Sequence, residues 1–353
     1  MNSKFWSPIV SQLDPYVPGE QPQDQQYTKL NTNESPYPPA PAVAATLAAF
    51  DCEALRRYPD PESLALRDAL AAYHGLARDQ VFVGNGSDEV LAHAFQALLQ
   101  KPAPILYPDI SYSFYPVYCA LYRIEYTTVP LDAEFRIDID AYRPGNGGII
   151  IANPNAPTGI ALPLAVIRRL LANNRESVVI IDEAYVDFGA ESAIGLIAEF
   201  DNLLVVQTFS KSRNLAGLRL GAAFGQAPLI EALQRIKNSF NSYPVDRLAS
   251  ACALASIADE DYFQQCRQRI IASRERLADS LAALDFKVLP SQSNFLLASH
   301  AGRSAQSLYL ELKNAGILVR YFNKPRIENW LRITVGSDAE CDRLLDSLRQ
   351  ILG

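Results

Sequence analysis

The chain has 353 residues, of which 49% are hydrophobic and 20% are charged, as is usual for a globular protein of about two domains. Its net charge of −7 argues against a nucleic-acid-binding surface, and no run of 18 apolar residues predicts a membrane span. The three histidines and five cysteines lack the spacing of a metal site, and no apolar run after Lys4 suggests a secretory signal. We therefore expect a cytoplasmic enzyme or binding protein without a metal cofactor, a nucleic-acid partner or a membrane anchor.

An N-terminal arm is predicted over residues 1–41, because this segment contains eight of the 23 prolines. Proline fixes φ and removes a backbone donor, which disfavours a helix or a central strand. A flexible tail is the alternative, but Tyr16, Tyr27 and Tyr37 are unusual for a disordered segment. We favour an ordered arm that lies over a surface of the protein.

Helical patterns and short apolar runs alternate after the arm. They predict helices at residues 40–50, 63–73 and 162–173, a turn at residues 56–63, and strands at residues 81–83, 104–107, 149–152, 178–181 and 203–207. Strands and helices that alternate at this spacing form βαβ units and a parallel sheet. The sequence thus predicts an α/β fold, in which ligands bind beyond the carboxyl ends of the strands.

A glycine turn, Gly84-Asn85-Gly86-Ser87, joins the strand at residues 81–83 to a helix expected from Asp88 onward. The free N–H groups and the dipole of a helix N-terminus attract anions. Such turns also simply connect elements, so this segment alone leaves a phosphate site and a plain turn equally open.

Four aromatic residues follow the strand at residues 104–107, namely Tyr112, Phe114, Tyr115 and Tyr118. At this density most aromatic residues belong to the core, so a ring-stacking role for one of them is the less common alternative.

A lysine follows the strand at residues 203–207, in the dipeptide Ser210-Lys211, and Arg219 lies eight residues further on. Desolvation at such a strand end lowers the pKa of a lysine, so that its neutral amine can react with a carbonyl compound. Ser210 and Arg219 suit a phosphate, the arginine through its two-pronged guanidinium. A solvated loop lysine and a surface arginine are the ordinary interpretation of these residues taken alone.

Asp182 ends the strand at residues 178–181, and Tyr185 follows three residues later. A buried carboxylate is costly without a cationic or protonated partner, and a pyridinium nitrogen is such a partner. A helix N-cap is the common alternative for an aspartate at a strand end. Taken together, the lysine, the aspartate, the phosphate ligands and the glycine turn are what pyridoxal 5′-phosphate requires.

The chain also resembles the fold-type I aminotransferases and, among them, the histidinol-phosphate aminotransferases. The resemblance covers nearly the whole chain and rests on motifs in the family's order, namely YVPGEQP, LNTNESPY, RYPDP, GNGSDE, NPNAPTG, DEAYVDF, SKSRNLAGLRLG and LRITVG. It implies a mostly parallel central sheet in a large domain at residues 42–244, a smaller α+β domain at residues 245–353, and the N-terminal arm. In the smaller domain a helix is expected at residues 264–284, with strands around residues 295–298 and 332–335.

The resemblance implies a role for each motif. Lys211 would form the Schiff base with the cofactor and transfer the proton, Asp182 would pair with the pyridinium nitrogen, and Tyr185 would contact the ring hydroxyl. The other residues implied to hold the cofactor are Gly86, Ser87, Asp88, Tyr112, Asn155, Ser210 and Arg219, with Tyr58 supplied by the neighbouring subunit of a homodimer. The residues implied to bind substrate are Tyr16, Asn33, Arg320 and Arg332.

One position departs from the family pattern. The family usually has Asn immediately before Pro-Thr-Gly, where it hydrogen-bonds the ring hydroxyl, but here that residue is Ala156 and Asn155 lies one place earlier. We expect either that Asn155 swings in or that Tyr185 serves the ring hydroxyl alone.

The activity that the resemblance implies is transamination of L-histidinol phosphate with 2-oxoglutarate, which gives imidazole acetol phosphate and glutamate in histidine biosynthesis. Arginine forks suit both the phosphate and the carboxylate of these substrates, although a surface position is the ordinary alternative for Arg320. Two other reactions on this scaffold stay open, those of an aromatic amino-acid aminotransferase and a threonine-phosphate decarboxylase. A non-catalytic pyridoxal-phosphate-sensing domain is a third alternative, against which the lack of a basic DNA-binding segment before Tyr58 counts.

Overall fold

The structure is a computed structural model and describes residues 3–353. Its helices are α1 Pro41–Ala48, α2 Leu64–His74, α3 Gly86–Ala94, α4 Tyr115–Tyr122, α5 Leu164–Asn173, α6 Ala227–Phe240, α7 Arg247–Ala258, α8 Glu260–Ala282, α9 Ala305–Asn314 and α10 Asp338–Leu352. Its strands are β1 Thr28–Lys29, β2 Val81–Asn85, β3 Ile105–Pro108, β4 Tyr126–Val129, β5 Ile149–Ala152, β6 Val179–Asp182, β7 Leu203–Thr208, β8 Leu220–Gly225, β9 Phe286–Val288, β10 Phe295–His300, β11 Ile317–Leu318, β12 Arg320–Tyr321 and β13 Leu331–Thr334.

The larger sheet has the strand order β2-β8-β7-β6-β5-β3-β4, and every strand except β8 runs in the same direction. Because side chains alternate along a strand, Ile149 and Ile181 pack with α2, α5 and α7 on one face, whereas Ile150 and Ile180 pack with α3, α4 and α6 on the other. Helices thus cover both faces, which explains the continuous apolar runs of the parallel strands. The structure confirms the α/β fold with a mostly parallel central sheet.

Strand β8 is absent from the sequence-based prediction, because its Gly and Ala residues lack the β-branched character by which the other strands are recognised. Its composition follows from close packing against α3. A Cβ atom on Gly221 would lie only 2.4 Å from the backbone nitrogen of Ser87. The N-terminus of α3 approaches β8 at this point, and the helix begins at Gly86 rather than at the predicted Asp88.

A second, antiparallel sheet has the order β12-β13-β10-β9, and α8, α9 and α10 contribute to the apolar core around it. The arm joins this second unit, because β1 pairs in parallel with β11 and Leu30 is buried in the same core. Helix α7 instead packs on α1 and α2 in the core of the larger sheet. The domain limits at residues 41/42 and 244/245 stay predictions, and this packing favours a second boundary between α7 and α8.

Within residues 3–353, no helix combines the length and the apolar character that a membrane crossing requires.

Candidate active site

A cavity of about 610 Å³ lies beyond the carboxyl ends of β5, β6 and β7, between the larger sheet, the arm and the second sheet. Most of the sequence-predicted site residues line it together, namely Tyr16, Asn33, Ser87, Asp88, Tyr112, Asp182, Tyr185, Ser210, Lys211, Arg219, Arg320 and Arg332. The predicted residues Gly86, Asn155 and Tyr58 do not line it. One cavity therefore collects residues that are spread over most of the sequence.

Lys211 lies just after β7, and its amine donates a hydrogen bond to the carbonyl oxygen of Thr32 at 3.2 Å. Burial, aided by the charge of Arg332, lowers the pKa of Lys211 to about 8. The amine lies 5.8 Å from the centre of the Tyr185 ring. Lys211 is thus partly desolvated, with a lowered pKa, as expected from the sequence.

The residues after Lys211 hold its loop in place, and the sequence analysis does not identify them. The hydroxyl of Ser212 donates to the half-buried carboxylate of Asp187. The guanidinium of Arg213 lies 3.8 Å from the centre of the Phe263 ring and donates to the carbonyl of Ser256 at 2.8 Å. These contacts fix the lysine loop against α7 and α8.

Asp182 ends β6 and is 5% exposed. It accepts hydrogen bonds from the hydroxyl of Tyr115 at 2.8 Å and from the backbone nitrogen of Ala184 at 3.3 Å. No cation pairs with it among the described residues, and burial raises its pKa to about 6. The N-cap interpretation is wrong, because the short 3-10 helix that follows is capped by Tyr185 instead.

Tyr115 is a site residue that sequence reasoning places only in a group of aromatic residues. It is fully buried, and its ring lies against Phe95, Tyr107 and Tyr112. Its position at the start of α4 is visible in the sequence, but the contact with Asp182 spans 67 residues. No local pattern indicates that contact.

The anion-binding end of the cavity is formed where α3 begins. Ser87 is the second residue of α3, and Ser210 and Arg219 approach from the segment after β7. Gly86 has a φ of +79°, and a Cβ atom there would lie 2.6 Å from Nη2 of Arg219. Gly86 therefore makes room for Arg219 rather than lining the cavity. A free helix N-terminus, two hydroxyls and a guanidinium form a site that suits a phosphate.

Asp88 connects two of the predicted cofactor residues. Its carboxylate accepts from the hydroxyl of Tyr112 at 3.0 Å and pairs with Nη2 of Arg219 at 3.3 Å. On the arm, Tyr16 lies against Phe114, with 4.9 Å between the ring centres, and 6.4 Å from Tyr112. Asp88 thus orients Tyr112 and Arg219 on the cavity wall.

Asn155 does not swing into the cavity, which corrects the first alternative for this position. Its carbonyl oxygen accepts from the hydroxyl of Ser111 at 2.9 Å, and its nitrogen donates to Ile110 and Thr158 at 2.9 and 3.1 Å. Ala156 lines the cavity in its place. The side chain of Asn155 therefore supports the loop, and the second alternative, a contact of Tyr185 alone with the ring hydroxyl, stays a prediction.

Tyr58 is 77% exposed and lies outside the cavity of its own chain, stacked on Tyr243 with 4.7 Å between ring centres. Its turn is held by Arg247, which donates to the carbonyl of Arg57 at 3.2 Å, and by Lys237, which donates to that of Pro61 at 2.6 Å. The exposed ring is therefore held in a defined direction. Its reach into a neighbouring subunit stays a prediction.

Two arginines reach the cavity from the second sheet, Arg320 from β12 and Arg332 from β13. Arg332 donates from Nη2 to the carbonyl of Asn31 at 2.7 Å, and its Nε has no hydrogen-bond partner in the described part of the chain. Burial lowers the pKa of Arg332. Arg320 of β12 lies near the arm carbonyls of Val17 and Pro18, at 3.4 Å from each. Both guanidiniums line the cavity, so Arg320 is not a plain surface residue.

The segment after β12 forms a wall that the sequence analysis does not identify, with Phe322, Lys324 and Arg326 lining the cavity. Arg326 pairs with Asp109 at 3.0 Å and donates to the carbonyl of Leu131 at 3.0 Å. The basic residues Lys324 and Arg326 are visible in the sequence, but their direction depends on these contacts with the larger sheet.

The family "Aminotransferase class I and II" matches residues 25–348 of the chain. The chain is 59% identical over 350 residues to histidinol-phosphate aminotransferase 1 of Bradyrhizobium diazoefficiens, which covers 99% of this chain and 100% of that protein. Histidinol-phosphate aminotransferase 2 of Rhizobium meliloti is 58% identical over 351 residues, with 99% and 100% coverage. The crystal structure of histidinol-phosphate aminotransferase from Sinorhizobium meliloti in complex with pyridoxal-5′-phosphate has the same fold, with a TM-score of 0.88 at 24% identity over 99% of this chain and 98% of that one. The chain therefore belongs to the class I and II aminotransferases and, within them, to the histidinol-phosphate aminotransferase family.

Proposed function

We propose that the protein is a pyridoxal-phosphate-dependent aminotransferase that transfers the amino group of L-histidinol phosphate to 2-oxoglutarate, giving imidazole acetol phosphate and glutamate. The observation that carries this proposal is the pairing of a reactive lysine and an unpaired buried aspartate on one cavity wall with an anion site beside them. Relatives at 58–59% identity over their whole length bear the name of this activity.

The residues present fit pyridoxal 5′-phosphate. Asp182 is buried, Lys211 is half-buried, and neither forms an ion pair among the described residues, so each has a charge that a bound partner would satisfy. A ring nitrogen suits Asp182, a carbonyl carbon suits the amine of Lys211, and a phosphate suits Ser87, Ser210 and Arg219.

When bound, pyridoxal phosphate supplies a carbonyl that reacts with amines and a ring that withdraws electrons from the reacting carbon. Asp182 would hold the ring nitrogen protonated, and Tyr112 would lie against the ring. The amine of Lys211, neutral in part because its pKa is about 8, would hold the cofactor and transfer a proton at the substrate carbon.

Arg320 and Arg332 account for the two substrates. A transaminase binds its amino donor and its amino acceptor in turn in one pocket, so the same cations must accept different anions. Guanidinium forks bind a phosphate or a carboxylate with similar geometry. The side of the cavity formed by the second sheet therefore suits both the phosphate of histidinol phosphate and a carboxylate of 2-oxoglutarate.

A substrate panel tests the proposal. Purified protein with pyridoxal phosphate should convert histidinol phosphate, with 2-oxoglutarate as acceptor, at a higher kcat/KM than phenylalanine, and it should not release carbon dioxide from threonine phosphate. Borohydride followed by peptide mapping should place the phosphopyridoxyl group on Lys211. A preference for phenylalanine, decarboxylation of threonine phosphate, or labelling of another lysine would each refute a stated part of the proposal.

The proposal includes a cytoplasmic homodimer with shared sites. An exposed Tyr58 held in a fixed direction supports it, because such a side chain is suited to contact a second subunit. Inactive Lys211→Ala subunits mixed with severely impaired Tyr58→Ala subunits should then regain part of the activity, since one site of each heterodimer has both residues. A fully active monomer in sedimentation, or no complementation after proven subunit exchange, would contradict the shared site.

A further inference from the structure

The hydroxyl of Tyr185 lies at the end of a directed series of hydrogen bonds that passes through Thr334, a residue that does not line the cavity. The backbone N–H of Asn33 donates to Oγ1 of Thr334 at 3.0 Å. The Thr334 hydroxyl donates to Oδ1 of Asn33 at 3.0 Å, and Nδ2 of Asn33 donates to the phenolic oxygen of Tyr185 at 2.9 Å.

The direction of each bond follows from the chemistry of the groups. A backbone N–H only donates, so Oγ1 of Thr334 accepts from it and the Thr334 hydroxyl proton is free to point elsewhere. The Thr334 hydroxyl proton points to Asn33, so the oxygen of the Asn33 amide must face Thr334. The NH₂ group of the same amide then faces Tyr185. Thr334 therefore determines which way the Asn33 amide faces.

An amide NH₂ group cannot accept a hydrogen bond, so the proton of Tyr185 cannot be directed to Asn33. Within residues 3–353, the Tyr185 hydroxyl donates no hydrogen bond to a protein acceptor, and Asn33 is its hydrogen-bond partner. Tyr185 lines the cavity, and Ala156 stands where the family usually has an Asn donor. The O–H group of Tyr185 is thus offered to the cavity and to the bound cofactor.

We propose that Thr334 and Asn33 are positioning residues that direct the Tyr185 hydroxyl proton toward the ring hydroxyl of the cofactor, in place of the Asn missing at position 156. The inference rests on the proposed function. The sequence predicts that Asn33 binds substrate. In this inference Asn33 instead acts through Tyr185. Asn33 has a φ of +56° and is 1% exposed, and Asn294 donates to its carbonyl at 3.0 Å, so its backbone is held firmly.

Thr334 provides the cleanest test, because it is buried and does not line the cavity, so it has no direct route to the cofactor. An O–H donor stabilises the anion that forms at the ring hydroxyl when the bound cofactor loses a proton. Removing that donor raises the pH midpoint of the visible absorption change of bound pyridoxal phosphate. Thr334→Val keeps the shape of the side chain but removes the hydroxyl, whereas Thr334→Ser keeps the hydroxyl.

The measurement is a pH titration of the visible absorption of the protein saturated with pyridoxal phosphate. Tyr185→Phe should raise the midpoint by about one pH unit, a tenfold change in the proton equilibrium. Thr334→Val should raise it by a smaller amount, Thr334→Ser should keep the wild-type midpoint, and Thr334→Val should add nothing in the Tyr185→Phe background. Asn33→Gly, in which glycine tolerates the positive φ, removes the donor to the phenolic oxygen and so weakens the Tyr185 hydroxyl as a donor. It should also raise the midpoint, by less than Tyr185→Phe, and provides a second variant.

Two outcomes would overturn the inference while leaving the proposed function intact. One is a midpoint that neither Thr334→Val nor Asn33→Gly changes. The other is a shift by these variants that is as large in the Tyr185→Phe background as in the wild-type protein. If the wild-type protein shows no visible band with pyridoxal phosphate and borohydride labels no lysine, the proposed function fails and this inference fails with it.

Discussion

Strand β6 ends at Asp182, and a second buried carboxylate, Glu183, follows it and faces the other side of the sheet. Asp182 faces the cavity and, among residues 3–353, receives hydrogen bonds only from Tyr115 and the backbone of Ala184. Glu183 faces the packed side, where it receives three, from Ser192 and the backbone of Ala193 at 2.6 Å each and from Gln207 at 2.9 Å.

Burial raises the pKa of both groups, that of Asp182 to about 6 and that of Glu183 to about 7. A raised pKa alone therefore does not distinguish a functional carboxylate from a structural one. The distinction comes from the partners, because the donors of Glu183 lie in the protein itself, whereas Asp182 faces space for a ligand. We infer that incomplete satisfaction beside a cavity, and not burial, is what marks Asp182 as a site residue.

The largest expected effect is a loss of catalytic activity on substitution of Asp182 but not of Glu183. Asp182→Asn should lower kcat by about 100-fold or more, since it removes the charge that stabilises a protonated ring nitrogen, while the protein stays folded. Steady-state kinetics together with circular dichroism would measure both quantities. A kcat near that of the wild type would reduce Asp182 to a structural residue and remove the difference from Glu183.

The converse change is Glu183→Ala, which should act on stability instead. It leaves a cavity and three donors without an acceptor, so the free energy of unfolding should fall by about 3–5 kcal/mol. The kcat of the folded fraction should change by less than about threefold, because Glu183 has no contact with the cavity. Urea denaturation and kinetics on the same preparation would test this, and a large loss of kcat with unchanged stability would contradict it.

The pH dependence of stability should show both carboxylates in the cofactor-free protein. The pKa of each carboxylate is higher in the folded than in the unfolded state, so the folded state binds more protons between the two values. The free energy of unfolding therefore falls as the pH rises. This fall occurs between about pH 4 and 6 for Asp182 and between about pH 4.5 and 7 for Glu183. A shift of roughly two units corresponds to about 3 kcal/mol. Asp182→Asn and Glu183→Gln should each reduce the pH dependence of the free energy of unfolding within the pH range given for that residue. A pH dependence that both variants leave unchanged would show that these two carboxylates do not cause it.

The smallest expected effect concerns Tyr115, the donor to Asp182. Tyr115→Phe removes a hydrogen bond to the charged form, which should raise the pKa of Asp182 and lower kcat by about fivefold, or about 1 kcal/mol. Tyr118→Phe is the matched control, because its hydroxyl donates to the backbone carbonyl of Asp88 at 2.8 Å rather than to Asp182. Equal losses in the two variants would show a general packing effect instead.

The local sequence pattern alone was enough to predict the parallel strands and the residues that follow them. The apolar runs of β5, β6 and β7 predict a parallel sheet, and the residues that follow them, Asp182 and Lys211, therefore lie at one edge of it. The patterns fail for β8, where Gly221 is required by the closeness of α3 and not by any preference of the strand itself. Short-range patterns predict elements well when hydrophobic periodicity alone determines them.

The direction in which each side chain points was decided only by the tertiary structure. Asn155 turns to Ser111 rather than to the cavity, and Tyr115 meets Asp182 across 67 residues. Thr334 and Asn33 meet across 301 residues and together orient the hydroxyl of Tyr185. Sequence determines which donors and acceptors are present, but a hydrogen bond also requires a distance and an angle, and those exist only after distant segments have packed together.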